Sequence, residues 1–517
     1  MLGSEKKKAA VEDYLKDSGA DRFNILWVVL DHVTFRHFKL MQGAVPVLPA
    51  YERLAREGCE FTNCHSVHPL CLPARATMLT GVYANNHGKL DNGDYPDCGL
   101  PFYTDYLQRL GYRTGYFGKN HSGYENFREK GLEGFYPESY GNPYHTREYR
   151  EYLDKNGYGN PIFHQEWGMS TVFKQENGVV ISEKKYENGD YDLTESDNFN
   201  MYSAGILRDS GKVHESDFIT RSALEWMEGC AESGAPFAVR VDMWGPHHAY
   251  QVPWEMKDLL KAEDIQEYPT FREPPEQKAK MVRDFRSRIH DRNPLQTWEE
   301  WQPLMKRAYE QYSYIDKAVG EMLDGLDQKG LADKTVVIYT ADHGDALGSH
   351  GGLVDKAGDM MEEVMHIPLV IRWPGAAKGI VCNELVSNLD LTPTVLQAAG
   401  LEAPDYMDGA GLSDLVFGNN CKWREDFMAE HFGHFGIRAA QRTLYYGSYK
   451  YIATENDVHE LYDLAADPFE RKNLIQEPEY RETAACMRRR LLENMDRFGD
   501  DSEDVADIRR KAGAETV

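Results

Sequence analysis

Long apolar runs are missing from this chain: the longest, Ile25 to Leu30, is six residues, against the roughly 20 that a membrane-spanning helix needs. A run that short serves as a buried strand. The first residues, Met1 to Asp21, lack the apolar centre of a secretion signal and read as a charged extension, which points to the cytoplasm. Basic side chains are the scarcer charge, 58 Lys and Arg against 84 Asp and Glu, for a net charge of −26. That balance argues against nucleic-acid backbones and other polyanionic surfaces, membranes included, as partners. An anionic ligand must therefore meet a pocket assembled from a few specific Lys, Arg and His residues. Cysteine is sparse as well, with eight residues at 59, 64, 71, 98, 230, 382, 421 and 486. They show neither the spacing of a disulfide framework nor a C-x-x-C zinc pattern, and they read mostly as reduced core thiols.

What is present is enough chain for more than one compact unit, since 517 residues exceed the usual size of a domain. Short β-branched runs at Asn24 to Leu30, Thr114 to Phe117, Phe237 to Asp242, Thr335 to Tyr339 and Pro368 to Ile371 read as buried strands. Helical stretches such as Arg221 to Glu232 and Ala308 to Gln328 lie between them. The alternation predicts an α/β fold, a large and mainly parallel sheet sandwiched by helices. In such sheets ligands bind beyond the carboxyl ends of the strands. Two stretches rich in Tyr, Asn, Gly, Pro and charge, at about 124–216 and 254–301, read as insertions over that face. Near residue 425 the pattern changes again: Thr443 to Ile452 alternates like strands, and Glu477 to Arg497 has the periodicity of a closing helix. The expected plan is an extension at 1–21, a catalytic α/β domain at 22–424 and a smaller C-terminal α+β domain at 425–517.

Two of the strands end on acids, Asp31 after the first and Asp342-His343-Gly344 after Thr335 to Ala341. Carboxylates held at strand ends can gather a hard divalent cation in a shared cleft, although a helix N-cap is the plain alternative for either one alone. The segment Cys71-Leu72-Pro73-Ala74-Arg75, followed by Thr80-Gly81, is more specific. It resembles the Cys-x-Pro-x-Arg signature of the sulfatase family, the formylglycine-dependent hydrolases of the alkaline phosphatase superfamily. Further stretches resemble the same family in the same order and cover nearly the full chain: Gly118-Lys119-Asn120-His121, where Asn120 replaces a usual Trp, then Pro246-His247, Lys356 within Gly348 to Glu363, Ile367 to Gly375, Asp390-Leu-Thr-Pro-Thr and Glu460 to Glu470.

The resemblance implies an alkaline phosphatase-like fold and a chemistry. Cys71 would be oxidised to formylglycine by an installing enzyme that acts on the unfolded chain. The hydrated aldehyde would use one hydroxyl to attack sulfur and the other to release sulfate. Arg75, one helical turn on, would hold the diol and the metal-binding carboxylates; His121 would contact the nucleophile. Lys119 and Lys356 would neutralise the sulfate and His247 would protonate the leaving oxygen, with His248 a competitor for the place of His247 and Asn92 a further substrate contact. Asp31, the modified Cys71, Asp342 and His343 would hold one divalent ion, with Ca²⁺ expected first and Mn²⁺, Mg²⁺ or Zn²⁺ compatible. One departure matters: His32 stands where sulfatases carry a second Asp, as in the choline sulfatase and phosphonate monoester hydrolase branch, which Asn92-Gly93 also suits. His32 is either a fifth ligand or a ring packed beside the site, and packing is the favoured expectation.

The expected activity is hydrolysis of a small sulfated substrate to sulfate and an alcohol. A phosphonate monoester or phosphodiester is the alternative substrate. A non-catalytic scaffold is disfavoured because Arg75, Lys119, His121, Asp342 and Lys356 are all retained. Tyr140, Tyr144, Trp167 and Trp244 are candidates to stack on the alcohol, with ordinary core as their other reading, and a homo-oligomer is compatible with the sequence.

Overall fold

Asn24–Leu30 is apolar on both alternating faces after its first residue, so it can be stable only inside a sheet covered on both sides. A computed structural model places it there. It describes residues 11, 15–37, 48–93, 95–125, 127–137, 141–167, 170–176, 179–185, 188–197, 202–208, 210–273, 275–290, 295–356, 359–434 and 439–514. Asn24–Leu30 pairs in parallel with Thr335–Ala341 on one side and with Phe237–Asp242 on the other. Phe237–Asp242 pairs in parallel with Arg113–Gly118, and that strand with Glu133–Phe135. On the far side Leu369–Arg372 runs antiparallel to Thr335–Ala341, and Cys59–Phe61 and Ile380–Cys382 complete an eight-stranded sheet.

The fold is thus mixed α/β, a large and mainly parallel sheet flanked by helices. Pro49–Glu57, Glu215–Ser233 and Trp298–Gln328 form one packed group, and Cys71–Thr80, Tyr103–Arg109 and Leu391–Ala398 another. The long helix begins earlier than the sequence pattern indicates. Thr297 and Glu300 form a reciprocal capping box at its start, so the helix takes in the last residues of the stretch read as an insertion. Pro303, which lies inside it, is a residue that ordinarily argues against a helix interior.

The expected insertion at about 124–216 contains strands of its own. Ile162–Trp167, Gly189–Asp192 and Ala204–Leu207 form a four-stranded sheet with Tyr250–Pro253. The parallel pairing of Ala204–Leu207 with Tyr250–Pro253, together with a hydrogen bond from Tyr250 N to Ser203 O (2.9 Å), fixes the segment just after His247 and His248. Toward the C-terminus, Asp426–His431, Gln441–Tyr446, Tyr449–Thr454 and Glu460–Asp463 make an antiparallel sheet. Helix Arg481–Arg497 packs on it, giving a smaller antiparallel C-terminal domain. It docks on the core through Glu430 N to Val67 O (2.9 Å) and Tyr83 OH to Met428 O (2.8 Å). Within the N-terminal stretch, residues 1–10 and 12–14 lie outside the described residues, while Asp17 forms a bridge with Leu401. Among the described residues no helix is long and apolar enough to cross a membrane.

Candidate functional site

Four adjacent parallel strands deliver side chains to one place. Thr335–Ala341 is followed by Asp342 and His343, and Asn24–Leu30 by Asp31 and His32. Phe237–Asp242 ends on its own acid and leads to His247; Arg113–Gly118 leads to Lys119 and His121. Gly118 makes the last turn: its φ is +108°, and a Cβ there would lie 1.9 Å from the Asp242 carbonyl oxygen. Only glycine fits so close an approach. Facing these ends is helix Cys71–Thr80, buried along its whole length, with Cys71 as its first residue. Leu72 N, an unpaired donor at this N-terminus, bonds Asn92 Oδ1 at 3.1 Å. Asn92 therefore caps the helix start as well as facing the adjoining cavity.

Cys71, Asp31, Asp342, His343, Arg75 and Lys119 converge. Cys71 Sγ lies 3.1 Å from His343 Nε2 and 3.8 Å from Lys119 Nζ. Lys119 also forms an ion pair with Asp31. Arg75 reaches three carboxylates at once: Asp242 at 2.5 Å, Asp342 at 2.9 Å and Asp31 at 3.3 Å. Asp242 was not singled out from the sequence. It is gripped by Arg240 at 2.7 and 2.8 Å and by Tyr116 OH at 2.6 Å, which fixes the guanidinium it holds. The signal was available, since its strand ends on an acid as the other two do.

The charges act on one another strongly because no water screens them. Burial pushes the Cys71 thiol up, but Lys119, Lys356, His343 and a hydrogen bond with His121 outweigh it and hold the thiol well below its ordinary range. Burial and then the charge of Asp342 push Asp31 up to about 7, against the pull of Lys119. Asp342 is driven upward by burial yet held below the usual carboxylate range by Arg75 and His343. His343 is lowered by burial but carried to about 9 by Asp342 and Cys71.

The other side of the site comes from loops. Lys356 Nζ lies 2.7 Å from Asp355 Oδ1 and 3.4 Å from His247 Nε2. His247 Nδ1 donates to the His248 carbonyl at 2.7 Å, which leaves Nε2 as the acceptor for the Lys356 ammonium. Burial holds His247 well below its ordinary value and His248 at about 4, so both rings are neutral. His434, from the C-terminal domain, is lowered to about 4 by burial, and Asp355, Lys356 and Cys71 all act on it. Asp355 and His434 have no motif; only the position of Asp355 beside Lys356 pointed toward the site.

Two buried polar atoms test whether a cation fits. Asp342 Oδ2 is met by Arg75 Nη2 at 2.9 Å and His32 Nε2 faces Asp355 Oδ1 at 3.3 Å, yet neither atom makes a well-aligned hydrogen bond. Asp31, His32, Cys71 and His343 each present a donor atom within 4.8 Å of the others. The His32 ring stands in that donor cluster and also packs against the rings of His247 and His343, at 4.0 and 4.6 Å. A second cluster, His32, His247, His248 and Asp355, is equally tight, but the Lys356 ammonium already contacts His247 and Asp355. Beside Cys71 a cavity of about 430 Å³ is lined by Leu72, Asn92, Tyr95, Asn120, His121 and Tyr124, among others. Tyr144 and Trp244 do not line it; both are buried in the core, Tyr144 donating to Gln251 at 3.0 Å. Tyr140 and the Trp167 side chain lie outside the described residues.

Carboxylates and imidazoles gathered at strand ends against the Cys71 end of a buried helix suit a hydrolase, and the class is the alkaline phosphatase superfamily. Within it, the chain belongs to the sulfatase family: residues 23–401 match the family model described as Sulfatase. Residues 348–497 also match a model described as N-sulphoglucosamine sulphohydrolase, C-terminal. The chain is 26% identical to an N-acetylglucosamine-6-O-sulfatase of Bacteroides thetaiotaomicron, over 93% of this chain and 88% of that one. It is 26% identical to a choline-sulfatase of Rhizobium meliloti, over 88% and 83% of the two chains. Among solved structures, its fold is similar to a phosphonate monoester hydrolase from Silicibacter pomeroyi with a TM-score of 0.74, at 20% identity over 94% of this chain and 97% of that one.

Proposed function

We propose that the protein hydrolyses a sulfate monoester to sulfate and an alcohol, with the group derived from Cys71 as nucleophile. The observation that carries this is the setting of Cys71: the first residue of a buried helix, 3.1 Å from His343 Nε2, with Lys119, Asp31 and Arg75 around it. Cys71 Sγ marks where the oxygens of the modified residue would lie. Its side chain is 1% exposed, so an enzyme that installs formylglycine must reach it before the chain folds. The hydrated aldehyde supplies a geminal diol, one hydroxyl to attack sulfur and the other to drive sulfate release.

Asp31, Asp342, His343 and the group at Cys71 would hold one divalent cation, which supplies Lewis acidity toward the attacking hydroxyl and the sulfate oxygens. Arg75 keeps Asp31 and Asp342 aligned, and Asp242 keeps Arg75 in place. Lys119 and Lys356 bring two ammonium groups against the sulfate charge, and His121 binds the nucleophile. On the leaving side, His247 and Lys356 act as a pair: the ammonium that donates to His247 Nε2 in the free protein supplies the proton that the departing oxygen takes. Asn92 and Asn120, with Tyr95 and Asp97, give the cavity an amide, hydroxyl and carboxylate lining, which suits a polyhydroxylated alcohol.

A phosphonate monoester or phosphodiester is the second reading. It is favoured by His32 in place of a second carboxylate and by the likeness in fold to a phosphonate monoester hydrolase. Comparing kcat/KM for an aryl sulfate, a phosphonate monoester and a phosphodiester on formylglycine-bearing protein tests the choice. A preference for the sulfate is expected, and a preference for either phosphorus ester would replace the first reading with the second.

A further inference from the structure

We infer that His32 is a metal ligand and that it makes the centre select a transition-metal dication, such as Zn²⁺ or Mn²⁺, over Ca²⁺. The inference rests on the reading that the site holds a divalent cation. Three independent features of His32 carry it. Its backbone is left-handed, φ 66°, a conformation uncommon for residues other than glycine and concentrated at functional sites. That conformation is over-determined: Tyr312 OH donates to the His32 carbonyl at 3.2 Å, and His32 N approaches Asp342 Oδ1 at 3.4 Å.

The ring is also anchored. Its Nδ1 lies 3.1 Å from Asp345 Oδ2, the carboxylate–imidazole arrangement that fixes a tautomer and leaves the other nitrogen as a ligand. The remaining nitrogen, Nε2, is fully buried and has no hydrogen-bond partner, although Asp355 Oδ1 lies 3.3 Å away. The Lys356 ammonium engages Asp355 and His247. The donors that His32 shares with Asp31, Cys71 and His343 give it a place in the first centre.

The consequence follows from donor chemistry. Ca²⁺ takes six to eight oxygens, whereas imidazole suits Zn²⁺ and other transition metals. With His32 and His343 both ligating, the set holds two nitrogens and one carboxylate fewer than a centre built on paired aspartates. Asp345, which touches no substrate, is then a positioning residue for the metal.

The test is equilibrium metal binding, read without turnover. Metal-stripped protein bearing formylglycine is titrated with Zn²⁺, Mn²⁺ and Ca²⁺ in competition with an indicator, alongside His32→Asp and Asp345→Asn. The same series in a Cys71→Ser background removes any contribution of a thiolate. Aspartate tolerates the left-handed conformation, and circular dichroism checks folding. One equivalent of Zn²⁺ or Mn²⁺ in preference to Ca²⁺ is expected, with His32→Asp shifting the ratio toward Ca²⁺ by at least about tenfold. Asp345→Asn is expected to weaken binding by about 10–100-fold. In Cu²⁺-loaded protein, electron paramagnetic resonance should show two imidazole couplings, and one in His32→Asp. One bound equivalent with a Ca²⁺ preference, or a ratio that His32→Asp leaves unchanged, would overturn the role of His32 alone. Failure of every form to bind any of the three ions would overturn the metal reading beneath it.

Discussion

The two halves of the site are held in different ways. Asp31, Cys71, Arg75, Lys119, Asp242, Asp342 and His343 stand on strand ends or on the helix facing them, nearly all inaccessible to water, and Arg75 alone ties three of the carboxylates together. His247, His248, Asp355, Lys356 and His434 stand on loops, two of them anchored by the pairing of Tyr250–Pro253 with a satellite sheet and one contributed by the C-terminal domain. The first half suits what is constant in the reaction, a tetrahedral anion and its nucleophile. On the proposed reading the second half faces the leaving oxygen. Rigid placement on a sheet is more exact than placement on loops, whereas loops are freer to change between relatives.

The largest expected effect lies in the strand-end half. Cys71→Ala should lower kcat/KM for an aryl sulfate by roughly 10⁴-fold or more while the melting curve stays in place; normal turnover would remove the nucleophile from the account. Next comes the loop half. His247→Ala should slow an alkyl sulfate, whose leaving oxygen needs a proton, by about 10³-fold, but a nitrophenyl sulfate far less. Equal losses for both would show that the ring orients the sulfate and does not assist departure.

Asp242→Asn sharpens the contrast by disturbing the strand-end half without touching substrate. Loss of this buried partner of Arg75 and Arg240 should cost about 3–5 kcal/mol in stability, measured by denaturant unfolding. A misplaced guanidinium should lower kcat by about 10²-fold with KM little changed. The smallest effect is expected at the cavity wall. Asn120→Ala should raise KM for the sulfate ester of a polyhydroxylated alcohol by up to about tenfold, the worth of one hydrogen bond, and leave aryl sulfate hydrolysis unaltered.

The same division explains what could be read from the sequence. Asp31 and Asp342 follow uninterrupted apolar strands and are legible from local pattern, whereas Cys71, Arg75, Lys119 and His121 are legible only through the resemblance of their segments to sulfatase motifs. Asp242 obeys the same rule as Asp31 and Asp342. Asp345, Asp355 and His434 could not be found this way. The partner of Asp345 is His32, 313 positions away, and His434 reaches the site only because the C-terminal sheet docks on the core. For the same reason the sheet that joins Ile162–Trp167, Gly189–Asp192 and Ala204–Leu207, within the expected insertion, to Tyr250–Pro253, outside it, is not legible in the sequence, since its pairing joins segments far apart in the chain.

The most direct test of the central claim is the mass of the peptide spanning Cys71, taken from protein that hydrolyses a sulfate ester. The account predicts a residue that has lost sulfur and two hydrogens and gained one oxygen, with activity proportional to the converted fraction. Fully active protein whose Cys71 is an intact thiol would contradict it.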